Sequence, residues 1–179
     1  MKIDTSKIKT WSIASKTRPI KAKPLINLLV DRSVTSKFLV DTLEGKQLLG
    51  DGSVICVGEA GDTWQQIPKK LLQKYSVTAI DNDGWMICEP LPDNAVNVIE
   101  ITRDFLQADP YQCLIHFTRE DTYKAHDFCV IGQWGEITLE GINTQWGDIG
   151  DFVCQNRNDP TDIWVVKRKL FLNTYVIKS

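Results

Sequence analysis

The stretch TLEGKQLLGDGSVICVGEAGDTWQQIPKKLLQKY, residues 42–75, has a counterpart further along the chain. Residues 138–175 read TLEGINTQWGDIGDFVCQNRNDPTDIWVVKRKLFLNTY. Both open with Thr-Leu-Glu-Gly, and a Gly-Asp pair, a cysteine in an apolar run and a tryptophan follow in the same order. From the tryptophan onward, the spacing to a leucine and a tyrosine is identical. The matched residues are Cys56 with Cys154, Trp64 with Trp164, Leu72 with Leu172, and Tyr75 with Tyr175. An ordered series of this length predicts a duplicated supersecondary unit.

Short β-type runs separated by Gly, Asp and Ser dominate the rest of the chain, and helical patterns are few. Pro68 suits the first turn of a helix, which is predicted over KKLLQK at 69–74. A matching helix is predicted around 166–173. The pattern predicts a β-rich α+β fold of two tandem pseudo-repeated units, built from antiparallel hairpins that each end in a short helix. We expect an N-terminal arm at 1–19, a first unit at 20–90 and a second unit at 91–179.

Charge is distributed unevenly along the chain. Residues 1–23 have a balance of +6, whereas the remaining residues have a balance of −8. A basic arm can bind phosphates or an acidic partner. The favoured interpretation is a solvated or partly ordered tail, because the aromatic interleaving of a nucleic-acid platform is missing. A nucleic-acid binder that uses this arm stays an alternative.

Membrane and metal sites are not indicated by the sequence. No apolar run approaches the ~20 residues of a membrane span, and residues 1–23 lack the apolar core of a secretory signal. The five cysteines form no C-x-x-C pair. Their odd number and their apolar surroundings indicate buried free thiols rather than disulfides or a zinc site. We therefore expect a cytoplasmic protein with no membrane partner, no metal and no cofactor.

Packing explains most of the repeated positions. Each repeated tryptophan is expected to lay its indole over the helix that follows, and each tyrosine to end that helix and pack back on the sheet. Glu44 and Glu140 are the exception, since packing does not readily account for a carboxylate beside a turn in both copies. A hydrogen bond to the backbone amides of the hairpin is the alternative for these two residues.

The Gly-Asp turn of the second copy is the candidate binding site. There Trp146, Asp148 and Asp151 stand where the first copy has a leucine, an aspartate and a serine. Loops carry function, and exposed tryptophan is enriched at binding hot spots. The alternative is that Trp146 packs under the neighbouring hairpin. The complete predicted set is Trp134, Trp146, Asp148, Asp151, Glu44 and Glu140.

The order of TLEG, Gly-Asp, apolar strand, tryptophan and LxxY resembles that of the PGDYG proteins, a family of short bacterial and phage proteins. In place of the PGDYG pentapeptide, the two copies have LGDGS at 49–53 and WGDIG at 146–150. The resemblance implies a compact accessory domain, often borne by a phage or prophage. The family has no established reaction, so no catalytic residue follows from the resemblance.

Residue types that carry catalysis are scarce, and we expect a non-catalytic binding protein. In a phage or prophage setting its partner would be a host protein or a small nucleotide signal. One alternative is a small hydrolase or nucleotide-processing enzyme that uses carboxylates such as Glu44, Glu140, Asp51 or Asp148 between the two copies.

Overall fold

The computed structural model describes residues 1–27, 39–42, 45–48, 52–108, 112–113, 126–138 and 141–178. Within these ranges the chain is rich in β-structure arranged in several largely antiparallel sheets, as predicted. In the same ranges, no helix has both the length and the apolar character that a membrane crossing needs.

The strands are numbered in chain order. They are β1 Lys2–Ile3, β2 Ser12–Lys16, β3 Ile20–Pro24, β4 Leu39–Thr42, β5 Gly45–Leu48, β6 Val54–Val57, β7 Thr63–Gln66, β8 Tyr75–Ile80, β9 Met86–Pro90, β10 Ala95–Glu100, β11 Gln112–Cys113, β12 Phe128–Thr138, β13 Gly141–Gly147, β14 Phe152–Asn156, β15 Asp159–Val166 and β16 Tyr175–Lys178. The helices are α1 Pro68–Lys74, α2 Arg103–Gln107 and α3 Arg168–Thr174, and Thr5–Lys7 forms a 3-10 turn.

Two five-stranded antiparallel sheets hold the elements on which the site depends. The first sheet has the order β7-β6-β3-β9-β8, and the second has the order β15-β14-β10-β2-β16. In each sheet a helix connects one edge strand to the other, because α1 lies between β7 and β8 and α3 between β15 and β16. A four-stranded sheet, β11-β1-β12-β13, and the hairpin β4-β5 complete the described part.

Residue pairing across the strands corresponds between these two sheets. A cysteine faces a tryptophan near one edge, and an apolar residue of the outer strand faces a small buried residue at the other. The pairs are Cys56–Trp64 and Val77–Cys88 in the first sheet, and Cys154–Trp164 and Ile177–Ala14 in the second.

The N-terminal segment lies inside the sheets. Strand β2 pairs with β10 on one side and with β16 on the other, and β1 pairs with β11 and β12. Ala14, at the centre of β2, is fully buried. The charge pattern predicts a solvated tail at this position, but backbone pairing with strands distant in sequence makes residues 12–16 a central strand.

Each of the two sheets has its own hydrophobic core under its helix. Leu71 of α1 is buried on the first sheet with Cys56 and Cys88, and Phe171 of α3 is buried on the second sheet with Cys154. The leucines that the sequence comparison matched, at 72 and 172, are 59% and 58% exposed. The residue preceding each leucine therefore anchors the helix.

The predicted buried thiols are confirmed for the four cysteines whose surroundings are described. These are Cys56, Cys88, Cys129 and Cys154, each of which is a buried thiol outside any disulfide. Burial raises the pKa of the Cys56 thiol to about 12. A thiol with so high a pKa is a packing group rather than a nucleophile.

Candidate functional site

A cleft of about 120 Å³ is lined by residues of both five-stranded sheets. One wall comes from β7, α1 and the start of β8, and the other comes from β15, α3 and the start of β16. Five aromatic side chains line the cleft, together with three lysines and two aspartates: Trp64, Tyr75, Trp134, Trp164 and Tyr175, with Lys16, Lys70, Lys74, Asp62 and Asp162. Aromatic and charged groups from separate parts of the chain therefore meet in one concave site.

Lys16, the last residue of β2, places its ammonium among three aromatic rings. The Nζ atom lies 4.6 Å from the centroid of the Trp64 ring, 5.7 Å from that of Tyr175 and 6.0 Å from that of Tyr75. Within the described part of the chain, no group accepts a hydrogen bond or forms an ion pair with this ammonium. Burial lowers the pKa of Lys16, and the carboxylate of Asp62 opposes that effect.

Lys74 lies over the indole ring of Trp164. Its Nζ atom lies 4.5 Å from the centroid of the Trp164 ring and 3.5 Å from a carboxylate oxygen of Asp162. Burial lowers the pKa of Lys74, and the charge of Asp162 works against that shift. Unlike Lys16, Lys74 therefore has a carboxylate within ion-pairing distance.

Asp162 interacts with two lysines of α1 and with the side-chain amide of Asn156 on β14. Besides Lys74, it forms an ion pair of 3.1 Å with Lys70 and accepts a hydrogen bond of 3.1 Å from the side chain of Asn156. Lys70 also lies 3.5 Å from Asp159. Because the lysines belong to α1 and the acids to β15, this network joins the first sheet's helix to the second sheet.

Asp62 is the other carboxylate of the cleft, and it lacks such partners. Its Oδ1 atom and the Oε1 atom of Gln66 are buried with no hydrogen-bond partner among the described residues. A Cβ atom at Gly58 would lie 2.2 Å from that carboxylate oxygen, so a larger residue at position 58 would displace Asp62. Buried unpaired polar atoms are rare in native structures, and they mark places where a ligand or water completes the hydrogen bonding.

The predicted binding residues lie in two places. Trp134 lines the cleft. Trp146, on β13, instead donates a hydrogen bond of 3.0 Å from Nε1 to Glu136 and stacks on the ring of His126 at 5.9 Å between centroids. Glu44 and Glu140, as well as Asp51, lie outside the described residues.

Asp148 and Asp151 belong to the turn that leads into β14, beside Trp146. Asp148 lies 3.0 Å from Nδ1 of His126 and 3.0 Å from Nζ of Lys167. Burial raises the pKa of Asp148, but the hydrogen bonds from Lys167 and His126 outweigh burial and hold that pKa below its usual range. The buried Asp151 accepts hydrogen bonds from Lys167 Nζ at 2.8 Å and from the backbone N–H groups of Asp148 and Arg168, each at 2.9 Å.

Asp151→Ala should therefore lower the free energy of unfolding by about 2–4 kcal/mol, because two backbone donors and one ammonium lose a buried acceptor. Urea denaturation followed by circular dichroism measures the change. Asp148→Ala is the matched control, since Asp148 is half-exposed, and it should cost under about 1 kcal/mol. Equal effects of the two substitutions would contradict a special structural role for Asp151.

Comparison with known proteins yields no relative: no family model, curated protein or solved structure matches this chain. The resemblance to PGDYG proteins therefore stays a prediction. Among the side chains that the structure describes, no group of three or more His, Cys, Asp and Glu could hold a metal ion.

The sequence interpretation missed most of the polar cleft residues. Asp62 and Asp162 each lie two residues before a matched tryptophan, so the duplicated pattern contained a signal for them. The sequence contains no such signal for Lys16, because the charge pattern does not distinguish it from the other basic residues of the N-terminal segment. Its place beside Trp64 depends on the pairing of β2 with distant strands.

Proposed function

We propose that this chain is a non-catalytic binding protein that holds a small nucleotide in the cleft between the two five-stranded sheets. The observation that carries the proposal is the presence of Trp64, Trp164 and the ammonium of Lys16 in one cleft, where within the described residues no carboxylate hydrogen-bonds to this ammonium or lies within ion-pairing distance of it. Aromatic faces stack on nucleobases, and lysine attracts phosphate. A phage or prophage accessory protein that binds a nucleotide signal would need such a site.

In this proposal the cleft separates two copies of a duplicated unit, at 20–90 and 91–179. The two sheets support it with corresponding strand orders, equivalent Cys–Trp pairs and the same connection of edge strands through a helix. The position of β9 in the first sheet corresponds to that of β2 in the second, so the N-terminal strand would complete the second copy. Lys16 then stands where the first copy has Pro90, because these residues face Tyr175 and Tyr75. The copies would thus have diverged at a residue that lines the cleft.

Contacts of the basic N-terminal residues argue against a nucleic-acid partner. Phosphate backbones require exposed cations, whereas several cations of this segment are already engaged within the protein. Lys16 lies in the cleft, Lys23 is buried with a hydrogen bond to the carbonyl of Asp83, and three further residues form ion pairs: Lys7 with Asp4, Arg18 with Glu59, and Lys21 with Asp81.

The two alternative functions, a nucleotide-processing enzyme and a protein that binds a host protein, require different features of the structure. A nucleotide-processing enzyme would need a carboxylate free to accept a proton, and the unpartnered Oδ1 atom of Asp62 is the group that favours it. Asp162 is less suited, because two lysines and an amide already engage it. A host protein as partner would bury an exposed surface of roughly 800 Å² on this chain rather than enter a concave cleft.

Isothermal titration with nucleoside mono-, di- and cyclic phosphates should detect binding to the intact chain. Trp64→Leu and Trp164→Leu should each weaken that binding by about tenfold or more, because a base loses its stacking partner. Trp85→Leu is the matched control, since Trp85 lies outside the cleft and is covered by Lys23. It should change affinity by less than about twofold.

The same samples test the alternatives. Hydrolysis of a bound nucleotide that Asp62→Asn abolishes would support the enzyme in place of the binding protein. Failure of every nucleotide to bind at millimolar concentration would contradict the proposed function. Binding that neither Trp64→Leu nor Trp164→Leu weakens would place the ligand away from these two rings.

A further inference from the structure

Two of the three indoles that line the cleft, those of Trp64 and Trp164, have an ammonium group of the chain over the ring. Lys16 lies over Trp64 at 4.6 Å and Lys74 lies over Trp164 at 4.5 Å, measured to the ring centroids. Aromatic cages that bind cationic ligands supply rings without a competing cation. Here a cationic ligand would meet two ammonium groups of the chain in the same cleft and would be repelled by their charge. The arrangement therefore disfavours cations.

Charge pairing distinguishes the two ammonium groups. Lys74 and its neighbour Lys70 share the carboxylate of Asp162, and Lys70 is also close to Asp159. Lys16 has no hydrogen-bonding or ion-pairing acceptor within the described residues. An ammonium removed from water without such a partner is unfavourable, and a bound anion supplies the missing partner.

Asp62 limits which anion fits. Asp62 lines the same cleft as Lys16, and its charge opposes the lowering of the Lys16 pKa by burial. Its Oδ1 atom has no hydrogen-bond donor in the part of the chain described. A fully deprotonated anion would be repelled by it. A phosphate that keeps one proton can instead accept a hydrogen bond from Lys16 and donate its own O–H to Asp62.

We propose that Lys16 and Asp62 form the phosphate-binding end of the cleft and select a phosphate group that keeps at least one proton. This inference rests on the proposed function and adds to it the position and protonation of the anionic group. Under it, a nucleoside without phosphate binds weakly, and a sulfate, which has no proton to donate, binds less well than a phosphate.

The first test compares nucleoside monophosphates with the matching nucleosides by isothermal titration. Wild type should bind the monophosphate about tenfold or more tightly, as expected for a charge-assisted contact. Lys16→Met should remove that preference while preserving the far-ultraviolet circular dichroism spectrum. Lys21→Met is the matched control, because Lys21 is exposed and paired with Asp81 outside the cleft. It should keep the preference.

A second test needs no base. Inorganic phosphate should raise the midpoint of thermal unfolding relative to sulfate at equal ionic strength and pH 6, and Asp62→Asn should abolish the difference.

If nucleosides bind as tightly as monophosphates, or if Lys16→Met keeps the preference, the phosphate assignment is overturned while the cleft remains a binding site. If phosphate stabilises the chain but no nucleotide binds, the proposed function fails and the phosphate site stands. No effect of phosphate together with no nucleotide binding overturns both.

Discussion

Ala14→Asp is expected to unfold the protein, or to lower its free energy of unfolding by more than about 3 kcal/mol. Ala14 is fully buried at the centre of β2, between β10 and β16, and belongs to the core that contains Phe152 and Phe171. A carboxylate at this position would be removed from water within an apolar core. Urea denaturation monitored by circular dichroism and tryptophan fluorescence measures the loss.

The control is Ser12→Asp, which introduces the same charge at an exposed position of the same strand. It should change the free energy of unfolding by no more than about 0.5 kcal/mol. If Ala14→Asp were as stable as Ser12→Asp, residues 12–16 would not form a central strand. The solvated arm indicated by the charge pattern would then be the better description.

Local sequence patterns predicted the elements that local interactions determine. The apolar run at 54–57 forms strand β6. Pro68 begins helix α1, because its fixed φ and its missing N–H suit the first turn of a helix. Strand β2 was not predicted, because SIASK has neither a long apolar run nor a regular alternation. Its conformation depends on β10 and β16, which are distant in sequence, and such tertiary context overrides intrinsic strand preference.

The residues of the candidate site show the same contrast between local and non-local determinants. Trp134 was predicted to bind and it lines the cleft, whereas Lys16 acquires its place among aromatic rings through the non-local pairing of β2. The sequence difference between the two Gly-Asp turns predicts a binding role for Trp146 and Asp151. In the structure Asp151 accepts hydrogen bonds from the turn and from the first residue of α3, so an aspartate at that position has a structural explanation. A difference between two matched segments does not by itself distinguish a structural role from ligand binding.

Phe171→Ala should lower the free energy of unfolding by about 3–5 kcal/mol, as expected when a buried aromatic side chain is removed. Phe171 is fully buried, and its ring stacks between those of Phe152 at 3.7 Å and Tyr175 at 4.8 Å, measured between centroids. The neighbouring Leu172 is exposed and does not belong to this core. Chemical denaturation of the purified chain gives the value.

Leu172→Ala is the matched control, because it shortens the next side chain of the same helix at a position that is 58% exposed. Its cost should stay within about 0.5 kcal/mol, since alanine also favours the helix. Similar losses for the two variants would contradict the packing of α3 on the second sheet through Phe171. A large loss for Phe171→Ala that left the first sheet folded would produce two separate unfolding transitions. One transition would instead indicate that the Lys70–Asp162 and Lys74–Asp162 ion pairs, with the aromatic contacts around Lys16, couple the two sheets into one cooperative unit.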